Sequence, residues 1–392
     1  MTAAHRVDSK EADALRADLV RRLVEAGDLR TTPWQEAFRV TARHLFVPSF
    51  WTVGDVGGRR RWIPRHAGEP AYLAAAYADE SLVTQLDGRD ITDDDHEPTK
   101  GTPTSSSTRP SLMARMLEHL DVRDGDRVFE AGCGTGYNTA LLSARLGAEQ
   151  VTTIDIDPAI TATAARRLAA AGHTPTLRTG DGGAAVGSAR DRYDRLIATF
   201  SVRRVPSAWV DATRIGGVLL LTLAGPLDAY ALVRPTVTGS GQADGPILAD
   251  PTASFMISRP QSPDIRAAWA AVTEGRDGAT RASETPPAAL DGADTRFILG
   301  LAVPGCSRFT GNEAGGRSTN LGHPDGSWAT FEHATGTVTQ GGPRRLWDAI
   351  DTIHQEWQAT GSPAPHDLRL RIDGTRQTLY PPGKPGGWRL DG

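Results

Sequence analysis

The stretch that decides the fold reads Phe129-Glu130-Ala131-Gly132-Cys133-Gly134-Thr135-Gly136-Tyr137. It follows a short apolar run and precedes a helical pattern, so its three glycines fall in the turn between a predicted strand and a predicted helix. Glycine lets the backbone turn tightly there and brings main-chain N–H groups close to a ligand at the helix N-terminus. Because nucleotide-binding enzymes of several kinds carry similar loops, the motif alone predicts only a nucleotide-like ligand.

Two carboxylates follow this loop at the ends of the next two predicted strands. Asp155 is placed to accept both hydroxyl hydrogens of a ribose, and Asp181 to accept a hydrogen bond from an adenine amino group. The dinucleotide fingerprint needs G-x-G-x-x-G, whereas this chain has G-C-G-T-G with Glu130 two residues before it. The pattern therefore favours an S-adenosylmethionine-dependent methyltransferase over a dehydrogenase. The candidate cofactor residues, from the loop and the two strand ends, are Glu130, Gly132, Gly134, Gly136, Tyr137, Asn138, Asp155, Ile156, Gly180, Asp181 and Gly182.

Short apolar runs alternate with helical patterns from about residue 126 to residue 223, which is typical of a mainly parallel sheet with helices on both faces. We expect an α/β protein with a Rossmann-like methyltransferase fold, an N-terminal helical segment and an additional C-terminal α+β domain. The expected parts are a helical and loop segment over residues 1–100, the cofactor-binding core over 101–227, and an extension over 228–392 that recognises a peptide substrate. A helix is expected over residues 8–26, where apolar residues recur at helical spacing.

Composition excludes several classes of function. A net charge of −4 in 392 residues gives no electrostatic signature for nucleic-acid or membrane binding. Cys133 and Cys306 are the only cysteines, which is too few for a disulfide framework or a cysteine-rich zinc site. The ten histidines lack metal-ligand spacing, so no metal is expected. With no signal peptide or membrane span in the sequence, we expect a cytoplasmic protein.

Four segments of the core resemble the protein-L-isoaspartate O-methyltransferases when they are taken together: DRVFEAGCGTGYNTALLS, TIDIDP, GDGGAAVG and YDRLIATFSVRRVPSAWVDATRIGGVLLLTL. Residues 43–48, Arg-His-Leu-Phe-Val-Pro, are similar to a segment that precedes the catalytic core in that family, and residues 108–114 stand in place of its Ser-x-Pro and helix. The resemblance covers roughly residues 14–224. It implies S-adenosylmethionine as cofactor, S-adenosylhomocysteine as product, and a peptide or protein carboxylate as the methyl acceptor.

The family places a hydroxyl beside the substrate carboxylate, and the matching residue here is Thr108, preceded by Ser107 and Ser106. We expect Thr108 and Ser107 to act in catalysis and Ser106 to line the substrate site. A competing interpretation is that Ser107, Thr108 or both merely cap the helix that starts near Pro110. Main-chain amides are expected to border the same pocket at Thr199, Phe200, Ser201 and Val202.

The long extension and the Thr/Ser-rich stretch over residues 104–110 are similar to the branch of the family that accompanies ATP-grasp peptide maturases in graspetide biosynthesis. That resemblance implies methylation of an aspartate in a macrocyclised precursor peptide, followed by closure of the ester to an aspartimide. General repair of isoaspartate in damaged proteins is the alternative, and a cofactor-binding protein without turnover is a third. The oligomeric state is left open.

Overall fold

The chain divides into two compact units, which are described separately below. A computed structural model describes residues 9–184, 193–250, 253–275, 277–313 and 316–390. The first unit comprises residues 1–199 and 212–220, and the second comprises residues 200–211 and 221–392. Residues 1–100 thus belong to the same unit as the cofactor-binding core, and the second unit includes a short stretch that precedes the expected boundary at residue 228.

The first unit combines six helices with two groups of strands among its described residues. The helices are α1 (Ser9–Glu25), α2 (Thr32–Val40), α3 (Tyr72–Ala76), α4 (Pro110–Leu120), α5 (Tyr137–Leu146) and α6 (Pro158–Ala170). The strands are β1 (Ser49–Val56), β2 (Arg59–His66), β3 (Leu82–Leu86), β4 (Arg89–Asp90), β5 (Pro103–Ser107), β6 (Val128–Ala131), β7 (Val151–Asp155) and β8 (Thr176–Thr179). Three further elements contain residues of both units: β9 (Tyr193–Val202), α7 (Ser207–Ala212) and β10 (Thr213–Gly225).

The parallel sheet predicted around the glycine loop is present, with the strand order β9-β6-β7-β8. All three of its pairings are parallel, and Val128 lies opposite Val151 on one side and Arg195 on the other. The side chains of β6 are completely or almost completely buried, as near-continuous apolar strands in a sheet covered on both faces should be. The carboxyl ends of β6, β7 and β8 therefore meet at one edge of the sheet.

An antiparallel sheet of five strands begins within the segment that was expected to consist of helices and loops. Its order is β2-β1-β3-β4, and β5 adds to β3. Trp51, Val83 and Leu86 form its buried cluster, with Trp62 packed against them. The sheet brings β5, which carries the predicted catalytic hydroxyls, into the first unit's structure.

The helix expected over residues 8–26 is α1, Ser9–Glu25, although Asp8 lies outside the described residues. Its apolar side chains Leu19, Val20 and Leu23 are buried. Across the described residues, none of the helices combines the length and the apolar character that a membrane crossing requires.

The second unit is mainly antiparallel and has its own core. Its strands are β11 (Ala229–Val233), β12 (Thr236–Gly239), β13 (Gln242–Leu248), β14 (Ala279–Ala282), β15 (Ser307–Glu313), β16 (Gly316–Gly322), β17 (Trp328–Glu332), β18 (Thr337–Gly341), β19 (Arg369–Asp373), β20 (Arg376–Tyr380) and β21 (Trp388–Arg389), and its helices are α8 (Ile265–Glu274), α9 (Ala293–Gly300) and α10 (Leu346–Ala359). One sheet has the order β14-β18-β17-β16-β15. Trp347 is completely buried and stacks on Phe331 at 4.6 Å between ring centroids, whereas Trp269 is 48% exposed.

A buried arginine holds three segments of the first unit together. Arg43 has no exposed surface, and its guanidinium donates hydrogen bonds to five main-chain carbonyls at 2.8–3.3 Å. The accepting carbonyls belong to Ala76, Ala78, Glu80, Ser107 and Thr108. Burial lowers the pKa of Arg43 to about 10, which still leaves the group charged at neutral pH. The guanidinium thus satisfies carbonyls at the end of β5 that water does not reach.

Replacing Arg43 with methionine should destabilise the protein by about 3 kcal/mol or more, because several buried carbonyls lose their donor at once. The measurement is the urea midpoint followed by tryptophan fluorescence. Arg39→Met is the matched control, since Arg39 is 53% exposed and pairs only with the equally exposed Glu36, and such pairs contribute at most about 0.5 kcal/mol. Equal midpoints for the two variants would contradict the role assigned to Arg43.

Candidate active site

The glycine loop connects β6 to α5 through three residues with positive φ angles. Gly132, Gly134 and Gly136 have φ values of 95°, 50° and 88°, which residues with a Cβ rarely adopt. A Cβ added at Gly136 would lie 3.4 Å from side-chain atoms of Ala164 and Leu168 on α6. Glycine is therefore required for the turn and for the close packing of the loop against the next helix.

Glu130, at the centre of β6, anchors this loop from beneath. Its carboxylate is completely buried and accepts hydrogen bonds from Asn138 Nδ2 at 2.7 Å, from Thr153 Oγ1 at 2.7 Å and from Thr139 Oγ1. These bonds connect β6 to the first turn of α5 and to β7. Glu130 was predicted to contact the cofactor; in the structure it has no exposed surface, and its carboxylate bonds to Asn138, Thr139 and Thr153.

Asp155 lies at the end of β7 and faces the glycine loop. Its Oδ2 accepts a hydrogen bond from the Gly134 main-chain N–H at 3.0 Å, and its Oδ1 accepts one from Asp157 N at 3.2 Å. Ile156, the next residue, exposes 38% of its surface although it is a large apolar side chain.

Asp181 follows β8 at the same edge of the sheet. Gly180 has a φ of 151°, and its N–H donates to the Asp155 carbonyl at 2.8 Å, which holds the two strand ends side by side. Asp181 Oδ1 accepts from the Gly183 N–H at 2.8 Å. Gly182 is buried.

These groups match the chemistry of S-adenosylmethionine. Two carboxylates at the ends of adjacent parallel strands suit the ribose hydroxyls and the adenine amino group, and the exposed side chain of Ile156 suits the flat apolar face of adenine. Asn138 adds an acceptor at the start of α5, because its buried Oδ1 has no hydrogen-bond partner. The residues present therefore fit this cofactor.

Tyr137 was also predicted to contact the cofactor, but its ring points into the core. It is completely enclosed among aromatic side chains, with ring centroids 6.5 Å from Phe38 and 5.9 Å from Phe46. Burial raises the pKa of its hydroxyl above the ordinary value. Only the main chain of Tyr137 remains available to a ligand at the helix N-terminus.

The predicted acceptor residues occupy β5 and the residue after it. The buried Ser107 Oγ has no hydrogen-bond partner, although a hydroxyl out of contact with water ordinarily has one. A Cβ built on Gly134 would lie 3.7 Å from the Ser106 carbonyl oxygen, so β5 runs directly beside the cofactor loop. The structure thus brings Ser106, Ser107 and the glycine loop together, with Thr108 half-buried at the end of the strand.

The structure does not support the alternative that Ser107 or Thr108 caps the N-terminus of α4. The N-cap position of α4 is Arg109, and its side chain makes no capping bond. Instead, Ser111 N donates to Asp79 Oδ1 at 2.8 Å and Arg109 N donates to Ser81 Oγ at 3.1 Å. Because Asp79 and Ser81 satisfy the first turn of the helix, Ser107 and Thr108 are not needed as caps.

Gln85 is a site residue that the sequence analysis missed. This buried side chain on β3 accepts from Thr104 Oγ1 at 2.7 Å and donates to Asp157 Oδ2 at 3.3 Å and to Asp90 Oδ1 at 3.0 Å. It therefore connects the acceptor strand to the cap of α6, two residues beyond Asp155. A lone glutamine in an apolar strand, Leu82-Val83-Thr84-Gln85-Leu86, was the available signal.

The predicted substrate-binding amides on β9 fall in different units. Thr199 belongs to the first unit, and its hydroxyl donates to the carbonyls of Ala131 and Gly132 beside the glycine loop. Phe200, Ser201 and Val202 belong to the second unit. There, the Ser201 N–H already donates to the Met256 carbonyl at 2.9 Å, so this amide is not free for a substrate.

Because of Glu130, the free energy of unfolding should depend on pH. Burial is the main reason that its pKa is raised to about 7, against an ordinary value of 4.5. The folded state therefore binds a proton that the unfolded state releases, and the stability that this proton provides is complete below about pH 4.5 and lost as the pH rises through about 7.

Glu130→Gln, which imitates the protonated group, should accordingly become more stable relative to the wild type between pH 5 and pH 8, by up to about 3 kcal/mol. Urea unfolding at several pH values measures the difference. Glu36→Gln, at an exposed position, is the control and should follow the wild type. A difference that stays constant over this range would contradict the raised pKa.

The chain is similar to known proteins in sequence and in fold. The family model described as Protein-L-isoaspartate(D-aspartate) O-methyltransferase matches residues 63–231. The chain is 34% identical over 180 residues to a protein-L-isoaspartate O-methyltransferase of Methylorubrum extorquens (strain PA1), a match that covers 46% of this chain and 70% of that protein. It is 30% identical over 227 residues to the enzyme of the same name from Methylorubrum populi, with coverages of 58% and 87%.

A solved structure titled protein-L-isoaspartate O-methyltransferase superposes with a TM-score of 0.54 at 18% identity, and the alignment covers 94% of this chain and 99% of that one. This likeness concerns the fold and confirms the Rossmann-like methyltransferase architecture. Together with the sequence matches, it identifies the chain as a member of the protein-L-isoaspartate O-methyltransferase family, an enzyme that uses S-adenosylmethionine to methylate protein carboxyl groups.

Proposed function

We propose that the chain methylates the side-chain carboxylate of an aspartate in a ribosomally made, macrocyclised precursor peptide of the graspetide class. The observation that carries the proposal is the unpartnered, buried Ser107 hydroxyl on a strand that borders the glycine loop. A donor held ready in this way suits an acceptor that has oxygen lone pairs, as a carboxylate has.

The residues of the site need only bind and orient this acceptor. An aspartate carboxylate has a pKa near 4 and is already ionised at neutral pH, so no side chain has to remove a proton. When bound, the cofactor supplies an electrophilic methyl group on a sulfonium. Ser107 and Thr108 hold one carboxylate oxygen, so that the other stays free to react, and the enclosure of the site keeps competing water away.

Hydroxyl donors suit this task better than a cation would. A lysine or arginine clamped on the attacking oxygen would reduce its nucleophilicity, whereas a neutral donor fixes the geometry at a smaller electronic cost. Arg43 lies near these hydroxyls in the folded structure but directs its N–H groups at main-chain carbonyls, including those of Ser107 and Thr108. It acts as a positioning residue for the acceptor strand.

The ester product is activated for a second step that needs no further cofactor. The main-chain nitrogen of the residue after the aspartate forms a bond to the ester carbonyl carbon and loses its proton. The bond from that carbon to the methoxy oxygen breaks, and methoxide takes up a proton to leave as methanol. A five-membered aspartimide remains in the peptide.

General repair of isoaspartate is the second candidate, and the names of the relatives favour it. The C-terminal extension does not decide between the two, since a structure titled protein-L-isoaspartate O-methyltransferase aligns with almost the whole chain. The graspetide assignment is instead supported by the resemblance of residues 104–110 to that branch.

A competition between acceptors tests the proposal. The enzyme and the cofactor are incubated with an isoaspartyl hexapeptide and with linear and ring-bearing forms of a candidate precursor encoded beside the gene. We expect the mass of the ring-bearing peptide to rise by 14 Da, because methyl transfer replaces H by CH₃, and then to fall by 32 Da, because aspartimide closure releases methanol. Its kcat/KM should be ~100-fold higher than that of the hexapeptide, which corresponds to about 2.7 kcal/mol of discrimination. Preferential methylation of the hexapeptide would establish repair instead.

Thr108→Ala should slow methylation of the preferred acceptor about 10- to 100-fold, because a hydrogen bond that orients the acceptor is lost. Affinity for S-adenosylhomocysteine, measured by calorimetry, should change less than about twofold because this side chain does not form the cofactor loop. Thr108→Ser should recover most of the rate. Thr102→Ala, at an exposed position of the same segment, is the control, and a Thr108→Ala rate equal to that of this control would remove Thr108 from the site.

A further inference from the structure

A second cluster of polar side chains lies in the first unit, on the antiparallel sheet that carries β5. It consists of His66 at the end of β2, Glu69 in the turn that follows, and His96 in the loop after β4. One ring nitrogen of each histidine and one Glu69 carboxylate oxygen lie within 4.8 Å of one another. The two imidazole rings meet edge to face, with 5.5 Å between their centroids.

The hydrogen bonds of His66 determine which of its nitrogens can bind a ligand. Nε2 lies 2.7 Å from the Asp95 carbonyl oxygen, which can only accept, so Nε2 carries the proton. Nδ1 is then the nitrogen with the lone pair, and the Ser49 hydroxyl donates to it at 3.1 Å. Metal-binding histidines commonly have this arrangement, in which the N–H opposite the ligating nitrogen donates to a main-chain carbonyl and fixes the ring.

The other two side chains are held close to this ring by bonds that a metal would not disturb. Glu69 Oε2 accepts from the His66 main-chain N–H at 3.1 Å, which keeps its second oxygen near the cluster. The loop that presents His96 is fixed by Asp95, whose carboxylate accepts from Arg89 at 2.8 and 2.9 Å and from Thr92 N at 2.8 Å. Intramolecular hydrogen bonds therefore keep the three candidate ligand groups close together.

We propose that His66, Glu69 and His96 form a binding site for a divalent zinc ion. Two imidazole nitrogens and one carboxylate oxygen are a donor set that zinc accepts, and a water molecule would complete the tetrahedron. His66 ligates through Nδ1 after the Ser49 hydroxyl turns away. Glu69 and His96 reach solvent, so their side chains can rotate to bring the donors to metal-binding distances.

The ion would join the end of β2 to the loop that follows β4. Both belong to the sheet that supports the acceptor strand β5 through β3, so zinc would stabilise the scaffold of the acceptor residues without touching the reacting atoms. Sequence inspection does not reveal this site, because thirty residues separate the two histidines and the intervening turns bring them together.

Calorimetry tests the site with untagged, chelator-treated full-length protein and zinc chloride as the titrant. We expect one equivalent to bind the wild type and to raise its thermal midpoint. Loss of a group that hydrogen-bonds to a metal ligand typically lowers metal affinity 10- to 100-fold, and loss of the ligand itself should cost more. His96→Ala and Glu69→Gln each alter a ligand, so each should weaken zinc binding at least about 100-fold.

His366→Ala is the matched control, since it removes an exposed histidine of the second unit and should leave both the stoichiometry and the affinity unchanged. Circular dichroism of the zinc-free variants checks that each of them folds as the wild type does. The proposal is overturned if the wild type shows no saturable binding of zinc, or if a folded His96→Ala variant binds zinc as tightly as the wild type does.

Discussion

The acceptor side of the site depends on the burial of one positive charge. Arg43 is taken out of water and surrounded by main-chain carbonyls, which are the neutral partners that can satisfy a guanidinium's fixed fork of N–H groups. Lysine could not replace it, because an ammonium has only three N–H donors for five carbonyls that lie on two separate segments. The position of β5 beside the glycine loop thus follows from one side chain more than thirty residues before the methyltransferase core.

The glycine loop depends on a buried carboxyl group. Glu130 sits beneath the glycine loop and gathers hydroxyl and amide donors from α5 and β7. Burial alone would favour its neutral form, and the donors partly offset that cost. Two buried polar groups thus position neighbouring segments, Arg43 the end of β5 and Glu130 the start of α5.

The sequence was sufficient for the parallel sheet, the glycine loop and the two strand-end carboxylates, because each of these depends on local chemistry. Gly132, Gly134 and Gly136 need positive φ angles, and Asp155 needs only to end its strand. The roles of Gln85, Asp79 and Ser81 could not be predicted, since each acts on a residue far away in sequence. The local sequence pattern also does not show which way the Tyr137 side chain points. A residue next to a binding loop can face either the ligand or the core, and the aromatic side chains of α2 and the following turn hold this ring in the core.

The amide of Gln85 has a consequence for how such enzymes diverge. Its oxygen is committed to Thr104 on the acceptor strand, and its nitrogen is shared between Asp90 and Asp157 at the head of α6. An aspartate or glutamate in its place would repel both carboxylates, and an apolar residue would lose the hydrogen bonds to Thr104, Asp90 and Asp157. Gln85 therefore joins β5 to the N-terminus of α6, the helix that follows Asp155, and transplanting either element alone into a related enzyme would break the hydrogen bonds that connect the two.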